Sequence, residues 1–272
     1  MSKFLSSRTF VLVTVGLVLL AVASNQLWSQ SVDLANHYAL VARIFDYGVN
    51  FPTPDHSLEE MQVYPRLAHI VAAEFGRPFG SPFVGLQLAA IASLIVAWIA
   101  IVLMLAALGR PLRNRAIFIT AVLLVCNKAT FHLHIFGNEI VGNFFFSQLA
   151  AQSALLCVAA TLMRLERGNV SRWIRYLLLI AATLVIEYVH LLPALEALGV
   201  LGVLMLSEEL NTWQRQDPIA QKARSTLFAG FLFVAGAIAV VAHPTFRVMR
   251  TISENNGDLP LPVFSSVSSV VG

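Results

Sequence analysis

The sequence predicts an all-α, polytopic membrane bundle of about seven spans, forming one transmembrane domain over residues 1–272. Three observations predict it. Hydrophobic residues make up 57% of the chain and charged residues only 12%, against about a quarter charged in a soluble domain. The apolar residues fall in runs near the ~20 needed to cross a bilayer. The Lys and Arg side chains sit mostly in short loops between those runs, as the positive-inside rule requires. The net charge of +3 is therefore topological and does not point to nucleic acid as a partner. Cys126 and Cys157 lie inside apolar runs and read as small buried side chains rather than a disulfide or metal site. No CxxC, Walker A or GxGxxG pattern occurs, so soluble nucleotide chemistry has no support.

The first run, about Thr9–Trp28, follows Lys3 and Arg8. "AVAS" at Ala21–Ser24 has the look of a cleavage site. The apolar run continues past it to an interfacial Trp28, so an uncleaved signal-anchor is the expectation. Residues 29–82 form the long polar loop. It carries Asp33, Asp46, Asp55, Glu59, Glu60 and Glu74 against Arg43, Arg66 and Arg77. With the N-terminus cytoplasmic, this loop is outside. The second span is expected at about Pro82–Leu108, followed by the basic "GRPLRNR", and the third at about Ala116–Phe136. The fourth is expected at about Gly142–Met163, followed by "RLERGNVSRWIR". Both basic loops return to the side of the N-terminus.

Tyr176–Leu206 is apolar throughout and would make roughly 46 Å of helix, too long for one ~30 Å hydrocarbon core. Glu187, His190 and Pro193 fall near its middle. Two short helices meeting at "EYVHLLP", near the outer face, are therefore expected. That split places twelve Lys/Arg inside and six outside, against eleven and seven for a single tilted span. Charge barely discriminates, so helix length decides. A last span, about Ser225–Ala242, leads to an outer tail over residues 243–272.

The polar residues gather on the outer side. Asp33, Asn36 and His37 share one helix face by their i, i+3, i+4 spacing. Leu34, Tyr38, Val41, Ala42 and Phe45 form a second, apolar face. An amphipathic helix on the membrane surface is expected, ending at Gly48. Helix capping by Asp33, with Asn36 and His37 solvated, explains these residues equally well. In "PDHSLEEMQVYPRLAHIVAAEFG" a helix is expected from Pro65, because the residue before a proline is held out of the helical region. Arg66 and His69, one turn apart, suit an anionic head group. Lys128, His132, His134, Asn138 and Glu139 belong to the second outer loop. His132 and His134 are a weak metal signal, since i, i+2 side chains diverge on a helix. Glu187 and His190 mark either a site at depth or a pair that packs two short helices.

The order of these features resembles the N-terminal module of the GT-C superfamily of integral-membrane glycosyltransferases. A span is followed by Asp33, a surface helix, an acidic loop, the Tyr-Pro of "VYPRLAH" (Val63–His69), a second surface helix and a return span. Arg66 stands where many members have a second proline, and Leu34 where some have a second acid. The resemblance implies sugar transfer from a polyprenyl-phosphate carrier at the outer face of a bacterial plasma membrane. It also implies Asp33 as the base or the residue that orients the acceptor.

That chemistry needs a carboxylate within reach of the attacking hydroxyl or amine. It also needs cationic donors or a divalent cation for the departing lipid phosphate. Asp33 suits the first role, with His37 orienting it or replacing it. Tyr64, Arg66, His69, Lys128, Glu187 and His190 are the candidates for holding substrate and phosphate. The implied partners are a lipid-linked sugar donor, membrane lipids and other envelope proteins. The competing reading is a non-catalytic transporter, flippase or envelope-complex subunit with Gln148, Gln152, Glu187 and His190 along a pathway.

Overall fold

The computed structural model describes residues 12–16, 33–51, 56–108, 110–130 and 146–255. Among these residues every regular element is helical. In chain order they are α1 (Leu34–Tyr47), α2 (Leu67–Gly76), α3 (Pro82–Leu105), α4 (Arg110–Thr130), α5 (Phe146–Arg167), α6 (Arg172–Glu187), α7 (Leu191–Gln214), α8 (Ile219–Ala242) and α9 (Pro244–Asn255). Short 3-10 turns at His56–Val63 and Arg77–Phe79 flank α2. Among the described residues, four helices are long and apolar enough to cross a membrane: α3, α5, α7 and α8. Of the expected first span, residues 12–16 are described. They are helical, and Leu12 and Val13 pack against a cluster of Trp98, Val102, Ile117 and Ala121.

Helix α1 runs between the expected limits. Gly48 ends it with φ +78°, a left-handed value that costs a residue without Cβ nothing, and donates its N–H to Ile44 O. The buried face differs from the expected one. His37, Leu40, Val41 and Ile44 are buried, whereas Tyr38 is exposed. The cause is tertiary. Helix α1 packs on α2 and α3, so it buries the stripe turned towards those helices. The alternative of a solvated His37 is therefore ruled out.

Helix α2 starts at Leu67, with Pro65 and Arg66 leading into it. It lies very close to the start of α3. A Cβ added at Gly85 would collide with the Ala72 carbonyl oxygen and the Gly76 backbone, and one at Gly76 would collide with the Ser81 carbonyl. Ser81 caps α3, its hydroxyl accepting from Val84 N at 3.3 Å, with Pro82 at the first helical position. Helix α3 then packs along α5, where the Ser153 hydroxyl lies 2.7 Å from the Ser93 carbonyl.

The expected break in Tyr176–Leu206 is present at Tyr188–His190. The first arm, α6, is short, but the second extends through "SEELNTWQ" to Gln214. Pro193 falls in the first turn of α7, where its missing N–H has no partner to lose. Helices α6 and α7 fold back on each other and pack with α5 and α8 around Tyr176, Leu179, Ile186, Ala194, Ala197 and Leu201. Val189, in the turn, touches both this core and the one formed by α1, α2, α3 and α5. The residues after α8 form α9, a helix where a tail was expected.

At the far end of this hairpin a polar network ties the helices together. Arg172 pairs with Glu209 at 3.1 Å and donates to Thr212 and Ser225. Ser225 and Thr226 both donate to Glu209. Arg175 pairs with Glu208 at 2.8 Å, and the Tyr176 hydroxyl donates to the same carboxylate at 2.9 Å. Nearly every polar group here has a partner, which makes it a structural clamp across α6, α7 and α8.

Candidate functional site

The end of the bundle that carries α1 and α2 gathers four residues singled out in the sequence around one buried histidine pair. His37 comes from the first turn of α1 and His69 from the first turn of α2, and both are buried. His37 Nδ1 lies 2.9 Å from His69 Nε2. His69 Nδ1 lies 3.1 Å from the Pro65 carbonyl oxygen.

That second contact decides the tautomers. A carbonyl oxygen only accepts, so His69 Nδ1 carries the hydrogen. In a neutral ring its Nε2 is then bare and accepts from His37 Nδ1–H. His37, also neutral, holds its lone pair on Nε2. Burial pushes the His69 imidazole down to about 3, the Pro65 bond works weakly the other way, and nearby His190 adds to the lowering. Burial, then His69 and His190, hold His37 well below the usual imidazole range. Both rings are therefore neutral at physiological pH.

Tyr64 closes the cluster. Its ring is edge-on to His37 and His69, each 5.8 Å away, and 6.3 Å from His190. Its hydroxyl lies 3.1 Å from Ser147 Oγ at the start of α5. Phe146 walls the other side, 6.0 Å from His37 and 5.6 Å from His69. Burial pushes the Tyr64 phenol up to about 12; the bond to Ser147 opposes this, and the negative charge of Asp33 adds to it.

Asp33 occupies the N-cap position of α1 but makes no side-chain cap hydrogen bond. Partial burial raises its carboxyl above the ordinary aspartate value. Capping had offered a sufficient account of this residue, and the cap bond is not made.

His190 borders this cluster, and the other candidates have different partners. The Arg66 guanidinium donates to Val49 O at 2.7 Å and Gln62 O at 2.8 Å, and stacks 4.2 Å over Phe51. It ties together the two ends of the loop that precedes α2. His190 caps α7, its Nδ1 accepting from Leu192 N at 3.2 Å, and its ring faces Tyr64. Glu187 is fully buried one turn earlier and faces His243, with Nδ1 to Oε1 at 3.7 Å, rather than His190. Lys128 lies within α4, its side chain outside the described residues, as are His132, His134, Asn138 and Glu139. No family model, curated protein or solved structure matches the chain. Among the described residues no three His, Cys, Asp or Glu side chains converge as metal ligands.

Sequence reasoning missed Ser147, Phe146 and His243. Ser147 could have been found as the residue next to Gln148 on the expected inward face. His243 immediately precedes a proline at a helix start, much as His190 precedes Pro193 by three residues.

Chemically, the cluster offers neutral imidazoles and a protonated phenol, with the partly desolvated Asp33 carboxylate carried one turn before His37 on α1. Such groups receive and orient hydrogen-bond donors.

Proposed function

We propose that the protein is a membrane glycosyltransferase that moves a sugar from a polyprenyl-phosphate carrier to an acceptor at the outer face of a bacterial plasma membrane. About seven spans, with the N-terminus cytoplasmic, complete this reading. The observation that supports it best is Asp33. It stands at a helix start, leaves the cap bond unmade, is partly desolvated, and its charge bears on the buried Tyr64 phenol. A carboxylate in that setting accepts the proton of an attacking hydroxyl more readily than a fully hydrated one. His37 and Tyr64 orient the acceptor. The lipid phosphate is left to Lys128 and to the remaining N–H donors of Arg66, with the apolar helices against the polyprenyl chain.

The experiment is Asp33→Asn, with sugar transfer measured in membranes at matched protein level. A loss of at least about a hundredfold is expected for a lost general base. Full activity removes Asp33 from the mechanism.

A second reading is favoured by Glu187, a buried carboxylate without a hydrogen bond from any described residue. Ionisable groups of this kind mark transport pathways. In a lipid flippase or solute transporter, movement would depend on Glu187 and be indifferent to Asp33.

A further inference from the structure

Glu187 ends α6 and His243 links α8 to α9. Glu187 is 0% exposed, and among the described residues neither carboxylate oxygen has a hydrogen-bond partner. His243 is also buried, and its Nε2 lacks a partner as well. A buried carboxylate left without a donor is among the costliest arrangements in a protein. His243 Nδ1 lies 3.7 Å from Glu187 Oε1. That nitrogen is already in use. It accepts the N–H of Thr245 at 3.2 Å and so caps the first turn of α9.

The two uses of Nδ1 exclude each other. To accept from Thr245 it must carry a lone pair, which makes His243 neutral with its hydrogen on Nε2. To satisfy Glu187 it must carry a hydrogen. We propose that Glu187 and His243 form a proton-operated latch on α9. With His243 neutral, the imidazole caps α9 and the latch is closed. When His243 takes up a proton at Nδ1, the Thr245 bond is lost. A charge-assisted N–H···O bond to the Glu187 carboxylate replaces it. The only atom transferred is that proton, taken from solvent. The ligand of the site is a proton, and the output is the hold of α9 on the ends of α7 and α8, which it contacts.

Among the described residues, the titratable and charged groups on the elements around the pair are few. The Tyr188 ring is edge-on to His243 at 4.2 Å and half exposed. Helix α8 has no ionisable residue after Arg224, and α5 has no charged one before Arg164. On α7 the nearest are His190, turned to Tyr64, and Glu196, which is exposed. On α9 they are Arg247 and Arg250, both exposed, and Glu254.

The test is amide hydrogen exchange over residues 244–255, using the full chain in nanodiscs of zwitterionic lipid. Rates are corrected for intrinsic pH dependence. Between about pH 8 and pH 4, a window taken below the usual histidine range because burial lowers the His243 imidazole, wild-type protection of the Thr245 amide is expected to fall about fivefold, the scale of a lost cap. Glu187→Gln removes the carboxylate that rewards protonation and should keep α9 protected at the lower pH. His243→Asn retains a capping oxygen without a titrating group and should be protected at both. Wild-type protection that does not change with pH overturns the latch. So does a Glu187→Gln variant that loses protection as the wild type does. Neither readout involves sugar transfer, so the latch stands or falls separately from the proposed function.

Discussion

His37 Nδ1 and His69 Nε2 lie 2.9 Å apart in the interior, and the Pro65 carbonyl at His69 Nδ1 gives the bond one direction. Each ring is therefore held in a single neutral tautomer. In 15N spectra of histidine-labelled protein, His37 should appear with its hydrogen on Nδ1 and a bare Nε2, the minority tautomer of free histidine. Replacing His69 by Phe removes the acceptor and should return His37 to a mixture. A His37 resonance with protonated Nε2 in the wild type would contradict the derived direction.

The same pair predicts an acid limit. In the unfolded chain both imidazoles titrate near 6.5, whereas in the fold His69 lies at about 3 and His37 well below its usual range. Between those values the unfolded chain binds protons that the folded chain does not. Stability is therefore full above about pH 6.5 and falls as pH drops, by about 1.4 kcal/mol per pH unit for each histidine. Thermal unfolding in a mild detergent from pH 7 to pH 4 checks this. The His37→Gln, His69→Gln double variant should show a distinctly flatter acid limb.

The contact of α2 with α3 rests on Gly85, where a Cβ would overlap the Ala72 carbonyl and the Gly76 backbone. Gly85→Ala must push the two helices apart, at an expected cost of at least about 2 kcal/mol. It should also displace His69, which α2 carries. Gly199 has nothing within 4 Å of the same construction, so Gly199→Ala serves as the neutral control. Equal melting temperatures for the two variants would contradict the packing argument.

At the opposite end Glu209 is buried, paired with Arg172 and accepting from Ser225 and Thr226. Glu209→Gln leaves the Arg172 guanidinium without its counter-charge, at an expected cost of about 3 kcal/mol. The hairpin end should then become protease-sensitive. Restoration by a paired Arg172→Met, Glu209→Leu change would show that the network stabilises by satisfying its own members.

Helix positions were legible because their causes are local. Gly48 ends α1 by its own backbone freedom. The chain between Tyr176 and Leu206 has to break because its length exceeds a bilayer, and Pro193 marks where. The site was only half legible. Asp33, His37, Tyr64, His69 and His190 could be named, but their company could not. His37 meets His69 across 32 residues, and Tyr64 meets Ser147 across 83. Periodicity put His37 on one polar face with Asp33 and Asn36, because His37 and Asn36 look equally polar in sequence. Only the packing of α2 against α1 tells them apart. Arg66 was chosen for its fit to phosphate, yet the carbonyls of Val49 and Gln62 reach its guanidinium. Loop carbonyls leave no trace in a side-chain pattern.

The central claim is that Asp33 acts in sugar transfer from a lipid carrier. The most direct measurement is the inventory of glycolipids and envelope glycans, by mass spectrometry, in cells lacking the gene and complemented with either wild type or Asp33→Asn at equal membrane abundance. The account predicts that at least one glycan is lost with the gene, returns with the wild type and stays absent with Asp33→Asn, while its lipid-linked sugar donor accumulates. Full restoration by Asp33→Asn, or an unchanged inventory when the gene is lost, would contradict it.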